Sequence, residues 1–473
     1  MTHTPKSSDE NLRAALEQVE AHLADQIADL SAYVRIPSVS TQTERRADID
    51  AAADWTAARL SRAGFPEVQV MPTAGYPVVV ARWHVSPELP TIVFYGHYDV
   101  QPPEPLELWE SPPFEPEVRD GKLFGRGASD DKGAVLSAVR AVEACARAAG
   151  KPPVNLTFLI EGEEEIGSPS LSAFLEANRE LLAGDLAVSA DGGIYGVGIP
   201  SLTVGTRGLV SAEIRVKGAA ADLHSGSYGG AVANPIMALS RILASLQDPQ
   251  GRILVDGFHE GVETVDPAVR SAIAQTPGDL AEELKTLELD DWWGDPDYTP
   301  LERRSVRPTF EVNGITGGYQ GPGVKTVLPS EAVAKVTCRL AGAQDPWRVY
   351  AALERHVLAA TPPGVTVTIK RGAGIARPYQ MPVDLPILEI AGRSMTEVYG
   401  LDTFFEWSGG TVPVAEQFRS ILGMWCLYFA FQEPDNQLHA PNEFFRLEAM
   451  RKGTEATVRL LHALAANPEA VLG

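Results

Sequence analysis

Apolar positions near the start of the chain recur every three or four residues. Leu12, Leu16, Val19, Leu23, Ile27, Leu30 and Val34 fall on one face of an amphipathic helix that ends before Ile36-Pro37, because the residue ahead of a proline is pushed out of helical geometry. Short apolar runs follow, VVVARW (78–83), TIVFYG (91–96), LTFLI (156–160) and LAVSA (186–190), and they read as strands. Helical stretches near 50–63, 133–149 and 169–182 lie between or after them. This alternation predicts an α/β catalytic domain with a mixed, mostly parallel sheet flanked by helices.

After Pro200 the pattern changes to alternating LVSAEIRVKG (209–218), helix-like PIMALSRILASLQ (235–247), alternating AVAKVTCRL (332–340), helix-like WRVYAALERHVLAA (347–360) and VTVTIK (365–370). That order is β-α-β-β-α-β-like, the grammar of a ferredoxin-like α+β domain. Helical PILEIAGRSMTEVYG (386–400) then resumes the first pattern, so the middle block reads as an insertion. The expected division is 1–207 and 383–473 for the catalytic domain and 208–382 for the inserted one. The stretch 277–304, with Glu282, Glu283, Asp290, Asp291, Trp292 and Trp293, is acidic and aromatic without clean periodicity. It reads as a long crossover within the inserted domain, with a partner surface as the alternative.

Length and composition narrow the class. At 473 residues the chain exceeds the size at which one core keeps growing. Hydrophobic residues make up 44% of it, yet no run approaches the roughly 18 apolar residues of a membrane span. A net charge of −22 disfavours nucleic acid or an anionic membrane as partner. Cys145, Cys338 and Cys426 are far apart and outside any paired spacing, which argues against a disulfide framework or a thiolate metal site. The opening MTHTPKSSDENLRAALEQ shows neither a basic flank before an apolar stretch nor an Arg-rich leader, so the cytoplasm is the expected location.

Candidate chemistry is concentrated in four clusters, YGHYDVQP (95–102), GRGASDDKG (125–133), EGEEEIGS (161–168) and NQLHAP (436–441). Imidazoles and carboxylates in this combination suit zinc, manganese or cobalt. In YGHYDV, alternation at the end of a strand points His97 and Asp99 to one face, as a ligand and the carboxylate that orients it. Asp130 lies in a glycine-bounded turn before a helix, where it either caps orphan amides or bridges two cations. In EGEEEIGS adjacent carboxylates raise one another's pKa unless cations compensate; a metal would compensate Glu165 and leave Glu164 to move protons. Asp191 closes a strand, and His439 completes the set. Three carboxylates and a hydroxide balance two divalent cations, which eases burial.

These residues resemble the co-catalytic di-metal peptidases that include carnosine-type dipeptidases, bacterial glutamate carboxypeptidase, succinyl-diaminopimelate desuccinylase and aminoacylase. DLHSGSYGG (222–230), GGYQGPGVKTVLP (317–329), CRL (338–340) and GGTVPV (409–414) look like segments of the dipeptidase branch. The resemblance implies that His97, Asp130 and Asp191 hold one metal and Asp130, Glu165 and His439 the other, with Glu164 as base and Asp99 behind His97. It implies a cis Asp130–Asp131 peptide, and a lid domain that mediates dimerisation. It implies that His224 stabilises the oxyanion, commonly across the dimer. Arg339 resembles a clamp for the substrate carboxylate, beside Gly409, Gly410 and Thr411, although a strand arginine facing water fits its position equally. One departure stands out: Trp407-Ser408-Gly409-Gly410-Thr411 occupies the place where many relatives read Arg-x-Gly-Gly-Ser. The expectation is a homodimeric hydrolase that cleaves dipeptides with two divalent cations, zinc foremost. The alternative is a deacylase, carbamoylase or desuccinylase acting on N-acyl amino acids with the same centre.

Overall fold

A computed structural model describes residues 8–471. The chain divides into two compact units. One takes the chain up to Val204, Met381–Glu406 and everything from Gln417 on; the other takes Gly205–Gln380 and Trp407–Glu416. Among the described residues no helix is long and apolar enough to cross a membrane.

The first unit is built on a six-stranded sheet in the order Glu67–Met71, Val78–Trp83, Asn155–Glu161, Thr91–His97, Leu186–Ser189 and Trp425–Tyr428. The first two pairings are antiparallel and the remaining three parallel, the mixed sheet expected from the alternation. Asn155–Glu161 is buried at every position, as a strand covered on both faces must be. The edge strands Glu67–Met71 and Trp425–Tyr428 escape the sequence reading, the first because it is mostly exposed and lacks an apolar stripe.

The N-terminal amphipathic stripe is carried by two helices, Ser8–Ala21 and Leu23–Val34, rather than one. His22 stands between them with φ −117° and ψ 20°, yet its amide and carbonyl still bond to Gln18 and Gln26. The break is therefore a kink that leaves the apolar stripe continuous. Behind it, the helices Arg46–Arg62 and Lys132–Ala149 are joined through a buried ionic network. Arg59 reaches Asp29 at 2.7 Å and also pairs with Glu143; Arg140 reaches Glu143 at 2.9 Å and also pairs with Asp29.

In the second unit, Thr309–Gly317, Glu331–Leu340, Gly208–Lys217 and Thr366–Ala376 form an antiparallel sheet in that order. With the helices Pro235–Ala244 and Pro346–Ala359 this is the β-α-β-β-α-β arrangement of a ferredoxin-like fold. Gly208–Lys217 alternates buried and half-buried along its length, so Val210, Ala212, Ile214 and Val216 face Leu239, Ile242, Leu353 and Val357 in one core. Thr309–Gly317 carries a bulge between Val312 and Gly314 and is largely exposed, which leaves it without strand periodicity. Three short helices, Pro267–Ile273, Leu280–Thr286 and Pro300–Ser305, lie in the long crossover, the last opened by a Thr299/Glu302 capping box.

The ionic network makes a stability prediction. Burial alone raises the Glu143 carboxyl, but the Arg59 charge and a hydrogen bond from Arg147 outweigh it and hold the group below the usual range. Glu143→Gln leaves two buried guanidiniums short of a counter-charge and is expected to cost about 3 kcal/mol near neutral pH. A depressed carboxylate stabilises above its unfolded pKa, about 4.3, and ceases to as pH falls through its folded value. Thermal unfolding midpoints of parent and variant therefore differ most near neutral pH and converge on acidification below about pH 4. A constant gap across that range would remove Glu143 ionisation as the cause.

Candidate metal centre

The parallel strands of the first unit bring their carboxyl ends to one edge, where sites form in α/β sheets. His97 ends the strand Thr91–His97 and is fully buried. Gly96 precedes it because nothing larger fits: a Cβ there would lie 2.5 Å from Asp131 Oδ2 and 2.4 Å from Val135 Cγ2. Asp131 Oδ2 in turn accepts the amide of His97 at 3.2 Å.

Asp130 sits at the centre of the cluster. His97 Nε2 lies 3.1 Å from its Oδ1 and His439 Nε2 lies 3.0 Å from its Oδ2. His439 Nε2 is also 3.3 Å from Glu165 Oε2. Two groups result, His97 with Asp130 and Asp191, and Asp130 with Glu165 and His439, the ligand atoms of each group within 4.8 Å of one another. One carboxylate is common to both. The Asp130–Asp131 peptide is cis. His439 has φ 58°, a left-handed conformation uncommon for a non-glycine residue and held here in the Gln437–Asn442 turn.

The three glutamates of the EGEEE run do different things. Glu163 is turned into the protein, where its carboxylate accepts the amides of Tyr76 at 2.9 Å and Ser170 at 3.1 Å. Glu165 joins His439 and accepts a hydrogen bond from Gln101 Nε2 at 2.8 Å. Glu164 accepts no hydrogen bond from the described residues; burial first, then the Asp191 charge, push its carboxyl well above the usual range. Asp191 is pushed up to about 7, by burial first and next by Asp130 and Glu165 against the opposing pull of His97.

Asp99 links the clusters. Its carboxylate is 3.4 Å from His97 Nδ1, and its backbone carbonyl is nearer at 3.1 Å. The same carboxylate accepts the amides of Glu164 at 3.2 Å and Glu165 at 3.1 Å, so one side chain fixes both the imidazole and the acidic turn.

Sequence reasoning missed Glu443. Fully buried, it accepts the amides of Gly127 at 3.0 Å, Ser129 at 3.0 Å and Asp130 at 3.1 Å and pairs with Arg126 at 2.6 Å. Successive amides in a glycine-bounded turn make an anion-binding nest, and here the protein fills it with its own carboxylate. Nothing in the local sequence around Glu443 signals this role.

The remaining candidates belong to the second unit and are described within it. His224 is exposed, in a two-residue strand paired with Val327–Leu328, and its Nδ1 accepts the amide of Gly226 at 3.1 Å. Arg339 Nη1 donates to Thr411 Oγ1 at 2.7 Å. Arg207 holds the same loop, its Nε donating to the Gly409 carbonyl at 3.0 Å and its amide to the Gly410 carbonyl at 2.9 Å. Trp407 is buried against Gly205, whose Cβ would meet the indole at 2.6 Å.

Two imidazoles and three carboxylates, one of them shared, form an N/O donor set that fits two borderline divalent cations. Burial first, and the neighbouring carboxylates after it, raise the carboxyls of Glu164 and Asp191.

The model of Peptidase family M20/M25/M40 matches residues 93–463. The Cys-Gly metallodipeptidase dug1 of Schizosaccharomyces pombe is 30% identical over 463 residues, covering 93% of this chain and 95% of the relative. The Beta-Ala-His dipeptidase of Rattus norvegicus is 30% identical over 383 residues, 80% of this chain and 77% of the relative. Among solved structures, the M20 family metallo-carboxypeptidase Sso-CP2 from Sulfolobus solfataricus superposes with a TM-score of 0.82 at 29% identity, over 93% of this chain and 99% of that one. With the matched segment running from the His97 strand past His439, the chain belongs to Peptidase family M20/M25/M40.

Proposed function

We propose that this protein is a metal-dependent dipeptidase. The observation that carries the reading is the pair of ligand groups meeting at Asp130 with Glu164 beside them, in a chain that belongs to a peptidase family and whose relatives include metallodipeptidases. His97, Asp130 and Asp191 hold one divalent cation and Asp130, Glu165 and His439 the other; zinc is the expected ion, with manganese and cobalt suited to the same donors. Bound there, the cations supply Lewis acidity toward the scissile carbonyl and lower the pKa of a water.

The chain's own residues do the rest. Glu164 takes the proton of the attacking water and delivers it to the leaving nitrogen. Asp99 keeps the His97 ring oriented and fixes the turn that presents Glu164, through the amides it accepts. His224 donates toward the developing oxyanion, and Arg339, with the Gly409, Gly410 and Thr411 loop, receives the substrate carboxylate. In this reading the inserted unit acts as a lid and pairs two copies, so that His224 serves the partner's site. Three free, buried cysteines agree with a reducing compartment such as the cytoplasm.

Chelation of the purified protein is expected to abolish hydrolysis of unmodified dipeptides, and zinc or manganese added singly to restore it. Retained turnover after full metal removal would sink the reading. Faster turnover of N-acetyl, N-carbamoyl or N-succinyl amino acids than of any dipeptide would replace it with a deacylase. Glu164→Gln is expected to lower kcat by roughly 10²–10⁴-fold while metal content stays near two per chain. Loss of metal along with activity would make Glu164 a ligand instead.

The subunit arrangement has its own test. Glu164→Gln and His224→Ala chains, each inactive alone, should regain part of the parent activity when unfolded together and refolded, because one site in each mixed dimer then holds both intact groups. No recovery on mixing would place His224 in its own chain's site.

A further inference from the structure

The acidic, aromatic crossover of the second unit has no part in the mechanism above, yet it builds a cavity. One face of the four-stranded sheet is covered by its two helices. On the other, Thr309 pairs with Arg339 and Glu311 with Thr337, all half-buried or exposed, while Phe310 and Cys338 between them point into the core. The segment from Gln247 to Pro308 lines this face together with the strands, and the space enclosed is about 810 Å³. That is the size of a small-molecule site.

Its charge is opposite to that of the protein. Arg207, Arg303, Arg307 and Arg339 line the cavity, and none of them forms an ion pair with a described carboxylate. The cavity's Arg252 is matched by Asp295 at 3.1 Å and Asp297 at 3.5 Å, and its Arg304 by Glu283. Across the lining six guanidiniums face three carboxylates, Asp295, Asp297 and Glu311, in a chain of net charge −22; Glu283 beside Arg304 and Asp248 at 3.6 Å from Arg252 offset part of the excess from outside it. Burial and the neighbouring Arg339 lower Arg207 to about 10 against the opposing pull of Glu311. Behind the lining, Arg303 Nε and Trp292 Nε1 are closed off from solvent and have no hydrogen-bond partner among the described residues, so the face of Arg303 that meets the cavity is its terminal nitrogens.

We propose that this cavity binds a small organic dicarboxylate, one acid group on Arg207 and Arg339 and the other on Arg303 and Arg307, with its carbon chain against Trp292. Arginine forks match carboxylates bidentately, and two pairs of guanidiniums without an ion-pair partner favour a diacid over a monoacid. The aromatic wall favours a carbon-linked diacid over inorganic phosphate, which has no apolar part. Such a diacid has two possible sources, the acidic C-terminal residue of a dipeptide or a free dicarboxylate. Assignment to the substrate rests on the dipeptidase reading; the binding site itself does not.

The test is calorimetric titration of the metal-loaded protein with glutarate, pentanoate and inorganic phosphate. Glutarate should bind at least tenfold more tightly than the other two. Arg303→Met and Arg307→Met should each weaken it at least tenfold, with unchanged thermal midpoint and metal content. No glutarate binding, equal binding of pentanoate or phosphate, or undiminished binding in both variants would overturn the proposal, the last by placing the diacid elsewhere, such as the metal centre. Should kcat/KM for Ala-Glu exceed that for Ala-Gln and Arg303→Met erase the gap, the diacid is part of the substrate. Equal kcat/KM values for the two dipeptides, unchanged by Arg303→Met while that variant weakens glutarate, would identify a free dicarboxylate. Since titration needs no hydrolysis, a protein that cleaves no dipeptide leaves the binding result readable.

Discussion

Crowding of acids at one sheet edge is the constraint on which the first unit is organised. Asp99, Asp130, Asp131, Glu161, Glu163, Glu164, Glu165, Asp191 and Glu443 all gather near the carboxyl ends of three parallel strands, and like charges at such range oppose one another's ionisation. The fold deals with most of them individually. Glu163 and Asp99 accept backbone amides; Glu161 accepts the Tyr95 hydroxyl at 2.7 Å; Glu443 accepts three amides and Arg126. Asp130, Glu165 and Asp191, together with two imidazoles, remain as the ligand groups. Glu164 is the acid with neither a hydrogen-bond donor nor a place in either group, and this isolation suits a proton carrier.

Legibility in the sequence followed from how local each feature is. His97, Asp130, Glu165 and Asp191 stand at or just past strand ends, in short motifs whose spacing survives folding, so the chemistry could be read from neighbours in the chain. The division of labour within Glu163-Glu164-Glu165 depends on Tyr76 and Ser170, and no local pattern encodes it. Glu443 was illegible for the same reason. Its partners lie more than 300 positions away, and a carboxylate in a loop spells nothing until the Gly127–Asp130 amides converge on it.

Secondary structure shows the same divide. The strands near 78–83, 91–96, 156–160 and 186–190 and three strands and both helices of the inserted βαββαβ unit were readable because burial leaves apolar runs or periodicity. Thr309–Gly317 was not, since its bulge and exposed positions remove the alternation. The kink at His22 left the apolar stripe intact and so left no trace in the pattern.

The two units also differ in what their cores allow to vary. Every side chain of the metal-ligand groups comes from the first unit, where positions from His97 to His439 are coupled through Asp130 and the amides that Asp99 and Glu443 accept. A change at one is transmitted to the rest. The arginine-lined face of the second unit rests on a ferredoxin-like core whose apolar residues point the other way, so replacing Trp292 or Arg303 alters the cavity without touching Val210, Ile214 or Leu353. Trp407 fits the same logic: its indole packs on Gly205, two residues ahead of Arg207, which with Arg339 holds the Gly409–Thr411 loop by hydrogen bonds. In such a fold the site rather than the architecture decides function, and here the metal-ligand groups and the arginine-lined cavity rest on two separate cores.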